Sequence, residues 1–384
     1  MTTEKRPGLW QSLSGAHPGE LPALDIVRAA AILMVFAYHA WTSTRTAVPA
    51  VAQVVDNLLL NGKSGVTLFF VLSGYLITSV LMREYATSAN ISLSQFYLKR
   101  SLRILPAYYA YLIFFLILAV IGSHTFAKGT ENQFQRGWYF DFLFVSNIWQ
   151  GFHVHTWSLA TEEQFYLLFP VLAIALFRAS KRIRIAIILA LYLVPLAIRV
   201  VAFSKMEPAL YGDWAYHRPW TRFDDLLAGI LVASAEISTM RAIYRRTILV
   251  VCSVAALSVL ATSPSEFTWI SPFLNNGLNL SFAGIVLAAQ ASPLKKAPVF
   301  FTVTARLSYS FYLWHMLAGG IGAAVVFHSV KPGDTVTWMK FARGILSAAF
   351  WSYVIALVSY RLLEIPFLRL RAPLLLRMQK KSNT

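Results

Sequence analysis

Cysteine is almost absent from this chain: Cys252 stands alone, inside an apolar run. One thiol permits no intrachain disulfide framework and no zinc site of several thiolates, and an apolar setting makes it a poor nucleophile. Charge is scarce as well, 13% of residues against a hydrophobic share of 57%, which excludes an ordinary soluble domain. Acidic residues are scarcer still, 17 against 34 lysines and arginines, for a formal charge of +17. That excess invites nucleic acid as a partner. The cations nevertheless fall in alternate loops, as the positive-inside rule requires, so the expected partners are membrane lipids and no nucleic acid. The first twenty residues hold no apolar h-region, so no cleavable leader is expected and insertion falls to the first spanning helix. There is no inverted repeat of the kind found in many transporters and no low-complexity linker.

What the sequence does hold is a succession of apolar runs of about 17–22 residues, each long enough to cross a hydrocarbon core. The expected fold class is an all-α membrane protein, a polytopic bundle of about ten transmembrane helices. The spans fall near residues 24–43, 65–82, 104–122, 158–178, 183–203, 221–237, 246–262, 271–290, 307–327 and 340–363. With a cytoplasmic N-terminus, one side of the membrane receives Lys5, Arg6, Arg83, Lys99, Arg100, Arg103, Arg178, Lys181, Arg182, Arg184, Arg241, Arg245, Arg246, Lys295, Lys296, Arg306 and the basic tail from Arg369 to Lys381. The other side receives scattered cations such as Arg45, Lys63, Lys128, Arg136, Lys205 and Lys331. Both termini are therefore expected in the cytoplasm. The organisation reads as an N-terminal tail over 1–20, a membrane domain over 21–370 and a basic tail over 371–384, with no appended soluble domain. Gly137–Gln150 is aromatic but too short to span, and suits an interfacial or re-entrant helix on the outer side.

Ionisable residues inside the spans mark the places where chemistry belongs. LDIVRAAAILMVFAYHA (Leu24–Ala40) carries Asp25, Arg28 and His39. Eleven positions separate Arg28 from His39, about three turns plus 20°, so both lie on one face about 16 Å apart along the axis. The plain alternative has Arg28 snorkelling to a headgroup and His39 bonding a neighbouring helix. GVTLFFVLSGYLIT (Gly65–Thr78), with Ser73 and Tyr75, reads first as a close-packing helix and second as a cavity wall. FYLKRSLRILPAYY (Phe96–Tyr109) puts Arg100 and Arg103 three apart, a phosphate-binding pair or an ordinary cytoplasmic anchor, with Pro106 at an early helical position. HTWSLATEEQFYLLFP (His155–Pro170) holds Trp157 and the adjacent Glu162 and Glu163, which point about 100° apart. His153 and His155 precede it in what reads as a solvated loop rather than a metal pair. ARLSYSFYLWHM (Ala305–Met316) starts with Arg306 and aligns Ser308, Tyr312 and His315 as one polar stripe. RFDDLLAG (Arg222–Gly229) adds Arg222, Asp224 and Asp225, which can pair with one another.

These segments, in this order and with a closing SYRLLEIPFLRL, resemble acyltransferase family 3, polytopic bacterial membrane acyltransferases. The resemblance runs from Leu21 to about Leu370 and rests on six motifs in sequence rather than on any one. It implies transfer of an acyl group, commonly acetyl, from cytoplasmic acyl-CoA to a hydroxyl of a carbohydrate or another exported molecule. No metal or other cofactor is implied. Carried over by motif, Arg28 and His39 match the essential arginine–histidine pair, Arg100 and Arg103 the arginines opening the third helix, and Glu162 and Glu163 the glutamates after WSL. Some members add an esterase-like domain beyond the last helix, and position 67 is threonine where many relatives are acidic.

The expected mechanism has Arg100, Arg103 and Arg306 hold the donor phosphates, His39 take the proton of the attacking hydroxyl, and a nearby glutamate support the imidazole. The alternative to direct attack is a covalent acyl-histidine relay, which the sequence does not separate from it. The expected setting is the bacterial inner membrane, with a lipid-linked or free glycan as acceptor. The alternative from another class is a transporter or flippase that binds a glycan without altering it.

Overall fold

A computed structural model describes residues 9–15, 21–45, 50–122, 131–237, 239–264, 266–327 and 336–382. Lys5, Arg6, Lys128 and Lys331, counted above for orientation, lie outside the described residues, as do the side chains of Arg136 and Lys381. Among the described residues the regular structure is helical, as an apolar medium demands, because a helix satisfies its own backbone. In chain order the helices are α1 (Leu9–Ser14), α2 (Pro22–Thr42), α3 (Gln53–Leu60), α4 (Gly65–Ser88), α5 (Leu93–Gly122), α6 (Glu131–Phe142), α7 (Thr156–Arg178) and α8 (Lys181–Phe203). There follow α9 (Pro208–His217), α10 (Phe223–Ser234), α11 (Ala242–Leu260), α12 (Ser271–Gln290), α13 (Val299–Phe327), α14 (Trp338–Ser359) and α15 (Ile365–Ser382).

Helix starts follow local chemistry. Pro22 opens α2, where its missing N–H costs nothing. Ser180 and Thr337 cap α8 and α14 by accepting from the amides of Ile183 and Lys340 at 3.4 and 3.3 Å. Pro106 is not at an early position as expected: α5 begins at Leu93, so the proline sits in its interior. Apolar hydropathy marks only the lipid-embedded part of a helix, whereas the backbone ladder runs on through the basic turn before it.

Among the described residues seven helical stretches are long and apolar enough to cross a membrane: Pro22–Thr42, Gln53–Ser88, Leu93–Ile121, Thr156–Arg178, Lys181–Phe203, Ala242–Leu260 and Trp338–Met378. Each coincides with one of the ten expected spans. The expected span 221–237 forms only α10, whose 12 residues fall short of the about 20 a crossing needs. Spans 271–290 and 307–327 are helical as α12 and the later part of α13 but are not among the seven; Asn275, Asn276 and Asn279 lower the hydropathy of α12. The segment from Gly137 is the end of a 12-residue helix followed by turns, in keeping with a non-spanning element.

The chain divides into two compact units. One comprises Met1–Phe69, Ser238–Pro264 and Gly284–Leu362. Its centre is α13 packed on α14 and on α2. The rings of Phe36 and Phe311 meet edge to face at 5.7 Å between α2 and α13. The other unit comprises Phe70–Ile237, Ser265–Ala283 and Leu363–Thr384. There α8 packs on α10 and α5 on α15. A Cβ added at Gly74 would lie 2.0 Å from the Leu226 carbonyl oxygen, and one at Gly229 2.0 Å from that of Val71. Thus α4 and α10 meet backbone to backbone, the close-packing role expected of the GVTLFFVLSGYLIT glycines.

Candidate active site

In the first unit, α2 and α13 bring two imidazoles together across 276 residues of sequence: His315 Nε2 lies 3.1 Å from His39 Nδ1. Their protons follow from the acceptors around them. His315 Nδ1 is 2.7 Å from the Tyr312 carbonyl oxygen. A carbonyl only accepts, so in the neutral ring Nδ1 carries the proton and Nε2 the lone pair. His39 Nδ1 faces that lone pair and also the Val35 carbonyl oxygen, at 3.0 Å. Both neighbours accept, so His39 Nδ1 is the protonated nitrogen and donates to both. His39 Nε2 therefore carries a lone pair, the form a general base requires. His315 is buried at 2% exposure, whereas His39 is only partly covered.

The remaining first-unit candidates are placed around this pair or away from it. Tyr312 is buried, its ring 5.7 Å from that of His315. Ser308 turns instead to the Ala305 carbonyl at 2.8 Å. Arg28 and Asp25 lie in the first two turns of α2, and helical geometry sets Arg28 on the His39 face about 16 Å away along the axis. Arg306 donates to the carbonyls of Ser12 and Gly15, at 2.8 and 2.5 Å, so its guanidinium clasps the end of α1.

In the second unit, the Ser73 hydroxyl on α4 donates to Glu162 Oε1 on α7 at 2.5 Å and accepts from the Tyr166 hydroxyl at 3.1 Å. Of the two glutamates, Glu162 makes this contact, and Glu163 Oε1 is buried with no hydrogen-bond partner among the described residues. The Arg100 guanidinium lies over the rings of Tyr166 and Phe96, 5.2 and 5.8 Å from their centroids. A cation stacked on ring faces keeps its in-plane N–H donors for a ligand, the geometry a phosphate group uses. Arg103, one turn on, is exposed. Tyr75 and Trp157 are buried.

Arg222 and Asp224, candidates for a pocket, belong to a buried ion network of the same unit. Arg222 pairs with Asp225 at 2.8 Å, and its guanidinium faces Tyr216, Trp157 and Phe70 at 5.0, 5.7 and 5.9 Å. Asp224 pairs not with its neighbour but with Arg199 of α8, at 2.7 Å. Asn276 and Asn279 of α12 donate to Asp224 and Asp225 at 3.2 and 2.9 Å. Two cations and two carboxylates thus balance in charge, which lowers the cost of holding them in a dry interior.

A family model described as an acyltransferase domain matches residues 21–360. The chain belongs to this acyltransferase family. It is similar to peptidoglycan O-acetyltransferase OatA of Listeria monocytogenes, 26% identical over 377 residues, covering 90% of this chain and 55% of that protein. A putative peptidoglycan O-acetyltransferase of Bacillus subtilis, YrhL, is 28% identical over 386 residues, covering 91% and 55%. A putative O-acetyltransferase of Staphylococcus aureus is 28% identical over 379 residues, covering 90% and 57%. The chain spans a little over half the length of these curated relatives. No solved structure matches it significantly.

Three features of this family member escaped sequence reading. Tyr166 lies four residues after Glu162 on α7, a spacing that would have flagged it. Arg199 was visible as a cation within an apolar helix. The third is the segment before α7, which is not the solvated loop expected. His155 is buried, and His153 Nδ1 is 3.0 Å from the Tyr111 hydroxyl with its ring against Phe115 at 4.6 Å. Asp141 ties the segment down, accepting from the Phe152 and His153 amides at 2.9 and 3.1 Å and the Thr156 hydroxyl at 2.6 Å.

Both groups lie outside the seven candidate spans, and burial shifts them in opposite directions. The Asp141 carboxyl is pushed up from 3.8 to about 6, and the His153 imidazole down from 6.5 to about 4. Between pH 4 and 6 the folded protein holds a proton on Asp141 that the unfolded chain lacks, so this group's contribution falls as pH rises through about 6. Over nearly the same window the unfolded chain protonates His153 and the folded protein does not, so its contribution falls as pH drops from 6.5 towards 4. The two slopes oppose one another. Thermal unfolding in detergent should show Asp141→Asn losing stability on acidification more steeply than wild type, and His153→Gln losing it on raising the pH from 4 to 6. Parallel pH profiles for all three proteins would refute this assignment.

Proposed function

We propose that the protein is an integral membrane O-acyltransferase moving an acyl group, specifically acetyl, from cytoplasmic acyl-CoA to a hydroxyl of a cell-surface or exported carbohydrate. The observation that carries this reading is the setting of His39 Nδ1, 3.0 Å from the Val35 carbonyl oxygen and 3.1 Å from His315 Nε2, which assigns the proton to Nδ1 and leaves Nε2 as a base within an apolar helix pair. Family membership supplies the reaction class. The relatives named as peptidoglycan O-acetyltransferases support a glycan acceptor, lipid-linked or free. In this reading His39 takes the hydroxyl proton as the oxygen attacks the acyl carbon, while Arg28 steers the donor from the His39 face of α2. Arg100, with Arg103, holds the donor's phosphates, and Glu162 keeps Ser73 and Tyr166 in place beside Arg100. The setting is the bacterial inner membrane, with both termini in the cytoplasm, where the basic loops gather.

Purified protein in vesicles, supplied with labelled acetyl-CoA and a carbohydrate acceptor, should release CoA and add one acyl mass to the glycan. Transport of unmodified glycan without CoA release would instead favour the flippase class. In the same assay Arg100→Gln should raise KM for the donor by about tenfold to a hundredfold, the scale of a lost charge-assisted hydrogen bond, with little change in kcat. Arg100→Lys should not restore it, because an ammonium cannot reproduce the planar fork. An unchanged donor KM in both variants would remove Arg100 from the donor site.

A further inference from the structure

His39 needs one acceptor at Nδ1 to hold its tautomer, and the Val35 carbonyl, one turn back on the same helix, is already there at 3.0 Å. A second acceptor, from another helix, is surplus to that task. It is also an unusual one. The Val35 carbonyl can share a proton but not take it, whereas His315 Nε2, 3.1 Å away, can do both. The far side of His315 is prepared for that charge. Its Nδ1–H donates to the Tyr312 carbonyl at 2.7 Å. Its ring lies nearly parallel to Phe311, 13° between planes and 6.4 Å between centroids, and 5.7 Å from Tyr312. An apolar wall and a fixed carbonyl dipole leave the imidazole one orientation, so its lone pair stays aimed at His39.

We propose that His315 is a positioning residue that shares the proton taken up by His39, so that the two imidazoles act as a single proton store during acyl transfer. This rests on the reading of His39 as the base. The acceptor hydroxyl gives its proton to His39 Nε2 as its oxygen bonds to the acyl carbon. The Nδ1 proton of His39 moves towards His315 Nε2, spreading one positive charge over both rings. When the tetrahedral intermediate collapses and the C–S bond breaks, the Nδ1 proton moves back and the Nε2 proton passes to the departing thiolate sulfur. Both rings end neutral, in the tautomers they began with. Charge dispersed over two rings is less costly in a low-dielectric site than charge held on one. Among the described residues, titratable groups with rings against the pair include Tyr38, 4.9 Å from the ring of His39, and Tyr312, 5.7 Å from that of His315.

His315→Phe keeps a planar ring of similar size and removes the acceptor. It should lower kcat about tenfold or more while leaving KM for donor and acceptor unchanged. A purely structural role would not alter how many protons move in the rate-limiting step. Turnover plotted against the deuterium content of the solvent should curve in the wild type, where two protons are in flight, and become linear in His315→Phe. Should His315→Phe fail to insert, His315→Gln answers the same question, since its amide oxygen accepts a hydrogen bond but cannot take a proton. Wild-type kcat in either folded variant, or a curve unchanged by the substitution, would overturn the proposal. A wild-type protein that releases no CoA would overturn the enzymatic reading itself, a distinct outcome.

Discussion

His39→Ala should lower acyl transfer about a hundredfold to ten-thousandfold while leaving the protein folded and inserted. The rate effect is that of removing a positioned general base, about 3–5 kcal/mol of barrier. The folding effect is small because His39 is only partly covered and its hydrogen bonds are the shared one to His315 and the local one to Val35. His39→Asn separates the two roles. Its amide N–H can replace Nδ1–H towards Val35, but it has no nitrogen lone pair to accept a proton, so it should be as inactive as alanine and nearly as stable as wild type. CoA release at saturating donor and acceptor measures the first quantity, and thermal unfolding in detergent the second. If either variant turns over at close to the wild-type rate, His39 is not the base.

Asp224→Ala should be the most destabilising single change in the second unit, by about 3–5 kcal/mol, because it strands the buried Arg199 cation. Against total stabilities of about 5–15 kcal/mol this is enough to cost most of the folded yield. Arg199 keeps other acceptors, including the Pro272 carbonyl at 3.0 Å and Asn276 Oδ1 at 2.5 Å. Those neutral partners orient it without cancelling its charge. The double variant Arg199→Met/Asp224→Leu removes both charges together and should recover much of the loss, since matched removal of an ion pair is far milder than orphaning one member. Detergent-solubilised yield and apparent Tm would report both. A double variant no better than Asp224→Ala would mean the network is held by its asparagines rather than by charge balance.

The candidate site was legible in part. His39 announced itself as an ionisable group in an apolar helix, and His315 as part of a polar stripe on another, because both signals are local. That they face each other was not legible, since the meeting of α2 and α13 is set by tertiary contacts such as that of Phe36 with Phe311. Arg306 shows what packing adds. Its place at the cytoplasmic mouth of a span suggested a phosphate ligand, and the fold brings the carbonyls of Ser12 and Gly15 within its reach. The Asp224–Asp225 pair likewise read as self-contained with Arg222, until α8 supplied Arg199 as the second cation.

Sequence alone determined the helical class, the approximate place of the seven described stretches apolar enough to cross a membrane and the family, for hydropathy and motif order are carried by neighbouring residues and survive any arrangement of the helices. Tertiary structure alone decided which polar groups meet. A buried imidazole, carboxylate or guanidinium must find its partner wherever packing presents one, and the partner of His39 stands 276 residues away.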